Sequence, residues 1–229
     1  MRIVQIVLVC LLVSAVLPTI GADAASKVHV ITFGKWTSVQ WFAGSGMDKP
    51  LTLKIRALVI DGRVKEYALG APHEVTERLF VVRRAFRVND SLPEDPAPRW
   101  QWERGGWLLV DRGTAHISPL NLPEFDVHYS AATWYRDYVA YCGVAEDGKK
   151  TFAMVAQISR RKPVLKKPLS NDGIAEGAPP DSACPAPSWK RSPVRVSFEP
   201  KGGERQTFAI RGRVVDLVND AEEEEEGAR

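Results

Sequence analysis

The sequence predicts an all-β fold, a mainly antiparallel sandwich or barrel built from hairpins, with a long Pro-rich excursion and little helix. Three observations predict it. Apolar and polar residues alternate with a period of two over much of the chain, Gly- and Asp-containing turn signals separate the alternating runs, and amphipathic helical stripes are scarce.

The elements follow in order. Leu51, Leu53, Ile55, Ala57 and Val59 alternate with Thr52, Lys54 and Arg56 as one strand. Asp61-Gly62 is a strong two-residue hairpin signal, and residues 64–69 return as the partner. In the β-rich run 75–88, Phe80, Val82, Phe86 and Val88 share a face interrupted by Arg84, while Arg83, Ala85 and Arg87 face the other way. Such a strand is expected to be half solvated. Residues 89–98 carry prolines and acids and read as a surface connection. Trp100-Gln101-Trp102 and Trp107-Leu108-Leu109-Val110 flank Glu103-Arg104-Gly105-Gly106, which reads as a hairpin turn.

Helical signals are scarce, and residues 130–137 are the candidate for a short helix. Residues 138–144 and 151–158 flank the turn Ala145-Glu146-Asp147-Gly148, and residues 160–192 form an irregular, Pro-rich, basic excursion. Val194, Val196 and Phe198 alternate with Arg195 and Ser197, and Lys201-Gly202-Gly203-Glu204 turns the chain into residues 207–218. No repeated signature accompanies the strand pairs, which makes a propeller-like assembly a minor alternative. One β-rich domain is therefore expected over residues 25–218, followed by an acidic, disordered tail at 219–229 with the like-charge block Glu222-Glu223-Glu224-Glu225-Glu226.

The composition of the 229 residues, 45% hydrophobic and 26% charged, is that of a globular protein and excludes wholesale disorder and a polytopic membrane protein. A net charge of +3 does not point to nucleic acid. The N-terminus is more specific. Arg2 precedes an apolar run from Ile6 to Leu17, Pro18 breaks it, and Ala22-Asp23-Ala24 fits a small-x-small cleavage pattern. Residues 1–24 thus read as a signal peptide, with a mature start at Ala25 and a periplasmic or secreted destination. The alternative is an uncleaved anchor from Ile3 to Ile20. After cleavage no membrane span is expected.

Cleavage also removes Cys10 and leaves Cys142 and Cys184, which an oxidising compartment is expected to join as a disulfide. Cys184 lies in the segment Ala178-Pro179-Pro180-Asp181-Ser182-Ala183-Cys184-Pro185, which has little means of folding unaided. The alternative, a redox or nucleophilic thiol, lacks a CxxC or a nearby His.

Chemistry-bearing patterns are few. No nucleophile elbow, P-loop, dinucleotide fingerprint or zinc-protease helix occurs in the sequence. On a strand, Glu124, Asp126 and His128 would share a face and present two carboxylates and an imidazole to a cation or an acid–base reaction. Seven tryptophans include Trp100, Trp102 and Trp107 on one expected hairpin, either as binding anchors or, by alternation of Trp100 and Trp102, as a core face. Arg160, Arg161 and Lys162 open a cationic run that continues to Lys166 and Lys167, suited to an acidic partner or to plain solvation. The expectation is an exported cell-envelope binding or interaction module without catalytic activity, metal or cofactor. Its partner is another envelope protein or a glycan. The alternative is an extracellular or periplasmic hydrolase or metal-assisted enzyme acting through Glu124, Asp126 and His128.

Overall fold

The computed structural model describes residues 28–42, 50–94, 97–169, 174–175, 177–211 and 214–218. The expected signal peptide and the acidic tail lie outside the described residues. Among those described, the regular structure is entirely β, with strands β1 to β15 and no helix. None of the described residues forms a helix long and apolar enough to cross a membrane.

The first half is built from β1 (Ile31–Phe33), β2 (Thr37–Trp41), β3 (Leu51–Ile60), β4 (Arg63–Glu74), β5 (Leu79–Asn89), β6 (Trp100–Asp111) and β7 (Ile117–Leu120). Strands β3 to β6 pair antiparallel in succession. Strand β2 pairs antiparallel with β3 and, through Trp41 and Trp102, parallel with β6. These pairings close a ring, so this half is a small barrel, with β1 extending the β3 edge and β7 the β6 edge. The hairpin at Asp61-Gly62 forms as expected. Both residues take positive φ, 51° and 76°, the geometry whose twist matches the flanking strands.

Leu58, Ala68, Phe80, Val82, Leu108 and Val110 fill the barrel, with Ile31, Phe33 and Ile117 packed against them. Each of the Leu, Val and Phe side chains, fully buried, contributes about 1.5–3 kcal/mol. The register places Phe80 opposite Val110 and Val82 opposite Leu108, so the period-two pattern puts all four on the inner face.

The second half comprises β8 (Ala132–Tyr135), β9 (Tyr138–Val144), β10 (Thr151–Gln157) and β11 (Leu165–Pro168) in one sheet, and β12 (Ser188–Arg191), β13 (Val194–Phe198), β14 (Gln206–Arg211) and β15 (Val214–Val218) in another. One buried cluster takes Ala140, Cys142 and Val155 from the first sheet and Val196, Phe198 and Phe208 from the second, so the sheets face each other as a sandwich. The Cys142–Cys184 disulfide runs through this cluster, with its Cα atoms 6.1 Å apart. The other face of the first sheet buries Val139, Tyr141 and Met154 against Leu122, Phe125 and Trp134.

Several sequence expectations are corrected. Residues 130–137 form no helix: Ala132–Tyr135 is a strand, entered after the buried Ser130, and Arg136 turns at φ 54°. Aromatic and β-branched residues suit a pleated surface, and that preference decides the segment. Glu103-Arg104-Gly105-Gly106 is no turn either; it lies inside the continuous strand β6. Strand β5 is solvated on one side only toward its end, at Arg87 and Asn89; earlier, Val81 and Ala85 on its outer face are as buried as Phe80 and Val82 on its inner face. The second half of the molecule covers that outer face. The alternation read in β3 continues only to Ile55, after which Leu58 and Ile60 supply the buried positions, next to a register shift against β4.

Candidate functional site

A cleft of about 730 Å³ opens where the outer face of the barrel meets the second half. Its barrel side carries Trp41 from β2, Leu51 and Leu53 from β3, Arg83 from β5, and Arg104 and Trp107 from β6; Ala132, Pro179, Pro180 and Asp181 lie across from them.

The geometry of β6 explains why both Arg104 and Trp107 face this cleft. Residues three apart on a regular strand point to opposite faces. The register, however, pairs Trp107 with Arg83 and Arg104 with Ala85, so β6 contains one more residue than β5 across this stretch. This β-bulge at Gly105-Gly106 restores Arg104 to the face of Trp107. Gly105 suits this close approach, because a Cβ there would crowd the Arg84 Cβ at 3.1 Å and the Arg84 carbonyl oxygen at 3.3 Å.

Arg104 donates through Nη1 and Nη2 to Oδ2 and Oδ1 of Asp181, at 3.0 and 2.8 Å. Its guanidinium carbon lies 5.0 Å from the Trp41 ring centroid, and Trp41 in turn stacks on His128 with ring planes 8° apart. Arg83 donates through Nη2 to the Val127 carbonyl at 2.6 Å and reaches within 4.0 Å of the Asp181 carboxylate through Nη1. The side chains of Arg83 and Arg104 are 11% and 8% exposed, while that of Asp181 is 41% exposed. Burial, and then repulsion from Arg104, pushes the Arg83 guanidinium down to about 10, against the pull of Asp181 and Asp126. The Arg83 guanidinium remains charged at neutral pH. Asp181 itself is held at φ 57°, with its backbone N–H donating to the His128 carbonyl at 2.6 Å.

The residues singled out from sequence are distributed differently from expectation. Glu124, Asp126 and His128 do not share a strand face, because residues 121–130 run through turns and irregular backbone with no strand. Asp126 Oδ1 accepts the backbone N–H groups of His128 and Tyr129, which consumes it in shaping the loop. Glu124 sits at φ 55° and is ion-paired with Lys166. His128 lies against Trp41, and its Nδ1 is buried without a hydrogen-bond partner. Among the described residues no group of three or more His, Cys, Asp or Glu side chains is placed to hold a metal ion.

Trp100 and Trp102 do not form a core face. Trp100 is 57% exposed, Arg87 lies over both rings, and Trp102 meets Tyr67 edge-to-face at 4.9 Å. Trp107 reaches the cleft, contacts Trp134 edge-to-face at 5.1 Å, and has a buried Nε1–H without an acceptor. Arg160, Arg161 and Lys162 are exposed in the connection after β10, away from the cleft lining.

Sequence reasoning missed Trp41, Arg83, Arg104 and Asp181. The available signal was the paired glycine inside an otherwise strand-like run, which marks a bulge as readily as a turn. Comparison of the chain with protein-family models, with curated proteins and with solved structures found no match.

Proposed function

We propose that the protein is an exported, non-catalytic binding module of the cell envelope, and that its ligand sits in the cleft between the barrel and the sandwich. One observation carries this reading: two largely buried arginines converge on a single half-exposed carboxylate at an open cleft walled by Trp41, Leu51, Leu53 and Trp107. Concave, largely apolar sites with a few convergent polar groups are where ligands bind. Ligands that combine a negative charge with apolar surface suit these walls. Export is supported by the signal-like residues 1–24 and is compatible with the Cys142–Cys184 disulfide.

The test is photo-crosslinking in cells, with the reactive residue at Leu53 in the cleft or at Arg161 on the exposed connection. A defined adduct from position 53, absent from position 161 and lost in Trp107→Ala, is the expected result. An adduct insensitive to Trp107→Ala, or equal labelling from both positions, overturns the cleft reading. N-terminal sequencing of the envelope form is expected to begin at Ala25; recovery of the intact N-terminus would overturn cleavage.

A further inference from the structure

We propose that the cleft takes an extended peptide whose acidic side chain replaces the Asp181 carboxylate on Arg104 and Arg83, an inference that rests on the binding reading above. The chain itself provides the pattern. Pro179, Pro180 and Asp181 already form one wall of the cleft, with the carboxylate seated in a two-pronged contact on Arg104. A fork-to-fork pair of this kind is specific for a carboxylate and reproduces readily with another one. Asp181 is also the accessible member of the pair: its side chain is 41% exposed where that of Arg104 is 8% exposed, so a competing carboxylate approaches from solvent without uncovering the arginines.

The charge distribution leaves room for such a ligand. Among the described residues that line the cleft, Arg83, Arg104 and Lys54 stand against one acid, Asp181. The neighbouring carboxylates are engaged elsewhere, Asp126 with the backbone of its own loop and Glu103 with the indole N–H of Trp41. Arg83 holds the Val127 carbonyl through Nη2 yet stands 4.0 Å from Asp181, so its Nη1 has donor capacity that a second carboxylate satisfies.

The remaining lining distinguishes a peptide from an acidic sugar. Leu51, Leu53 and Trp107 offer apolar surface to side chains beside the acid, and they offer few partners to a ring of hydroxyls.

The probe is an acetylated and amidated hexapeptide, Ala-Pro-Pro-Asp-Ser-Ala, with the sequence of residues 178–183, compared with its Asn counterpart by calorimetry on the disulfide-intact protein. The Asp peptide is expected to bind the Asp181→Ala protein more tightly than wild type. The Asn peptide is expected to bind about ten-fold or more weakly than the Asp peptide, with Arg104→Met removing that preference and Arg83→Met reducing it. Should Asp181→Ala or Arg104→Met fail to fold, the same Asp-over-Asn preference and its reduction in Arg83→Met are read in the wild-type background. Equal binding of both peptides, abolished by Trp107→Ala, overturns the carboxylate exchange while leaving the cleft as a binding site. Binding of an oligouronate in place of the peptide overturns the peptide and keeps the cleft. Absence of binding by either peptide at millimolar concentration, in the presence of a cleft-dependent crosslink, overturns this inference alone.

Discussion

Tyr141 shows how a single side chain in this molecule couples packing to pH. It is fully buried beneath the loop that carries Phe125, and its hydroxyl donates to the Pro123 carbonyl at 2.7 Å. Burial, reinforced by the nearby Glu124 carboxylate, raises the phenol well above its ordinary value of 10.0. Below that value the hydroxyl is protonated in both folded and unfolded chains, and its stabilisation is fully present. As pH rises further, the unfolded chain releases the proton while the native chain retains it, so stability falls by about 1.4 kcal/mol per pH unit from this group. The Tyr141→Phe variant is expected to lose about 1 kcal/mol near neutrality through the missing hydrogen bond. It is also expected to lack this alkaline slope, so its deficit relative to wild type shrinks or reverses toward about pH 11. Urea midpoints of both proteins at about pH 8 and about pH 11 check this; a deficit independent of pH would show that Tyr141 does not titrate differently in the two states. Nothing in the sequence marks Tyr141 for this role. It is one of several aromatics after residue 130, and only the loop folded over it separates it from the others.

At the scale of the element, the bulge in β6 determines which way the cleft residues face. The Gly105-Gly106 pair was read from sequence as a turn, and the reason is physical: glycine weakens a ladder and releases the backbone in both settings. What distinguishes them is the partner. Strand β5 runs without interruption past the glycines, holding Arg83 to Trp107 on one side and Ala85 to Arg104 on the other. A turn at that point would have left half of β5 unpaired. By contrast, Asp61-Gly62 was legible because its chemistry and its immediate flanks are enough to determine the hairpin.

The two glycines are not equivalent, and this makes the bulge testable. A methyl at Gly105 meets both the side chain and the backbone of Arg84, whereas a methyl at Gly106 meets nothing within 4 Å. Gly105→Ala is therefore expected to destabilise the protein by about 1–3 kcal/mol and to weaken any ligand that depends on Arg104. Gly106→Ala is expected to change stability by less than about 1 kcal/mol. Chemical denaturation of the two variants side by side decides it, and equal costs would mean that the strands do not approach as described.

For the whole molecule, what was legible was local and what was missed was long-range. The all-β class, the hairpins around Asp61-Gly62 and Ala145–Gly148, and the Cys142–Cys184 pairing follow from neighbouring residues or from cysteine count. The cleft joins Arg104 to Asp181 across 77 positions and Trp41 to His128 across the junction of barrel and sandwich, contacts that no window of sequence contains. The disulfide is where these two levels meet. It closes a loop of 42 positions that includes the Pro-rich segment and ends three residues beyond Asp181. On the chain-entropy model a loop of that length stabilises the fold by about 4 kcal/mol. Cys142 and Cys184 also sit in the core shared by the two facing sheets, so replacing both with Ala removes the cross-link while keeping apolar side chains there. The double variant is expected to lose roughly 3–4 kcal/mol in urea denaturation, with little change at the barrel. Because the same cross-link anchors the cleft wall formed by residues 179–181, the loss is expected to fall on ligand affinity as well. A double variant with unchanged stability and unchanged binding would mean that the Pro-rich segment is held by its other contacts, chief among them Asp181 on Arg104 and Thr133 on the Pro187 carbonyl.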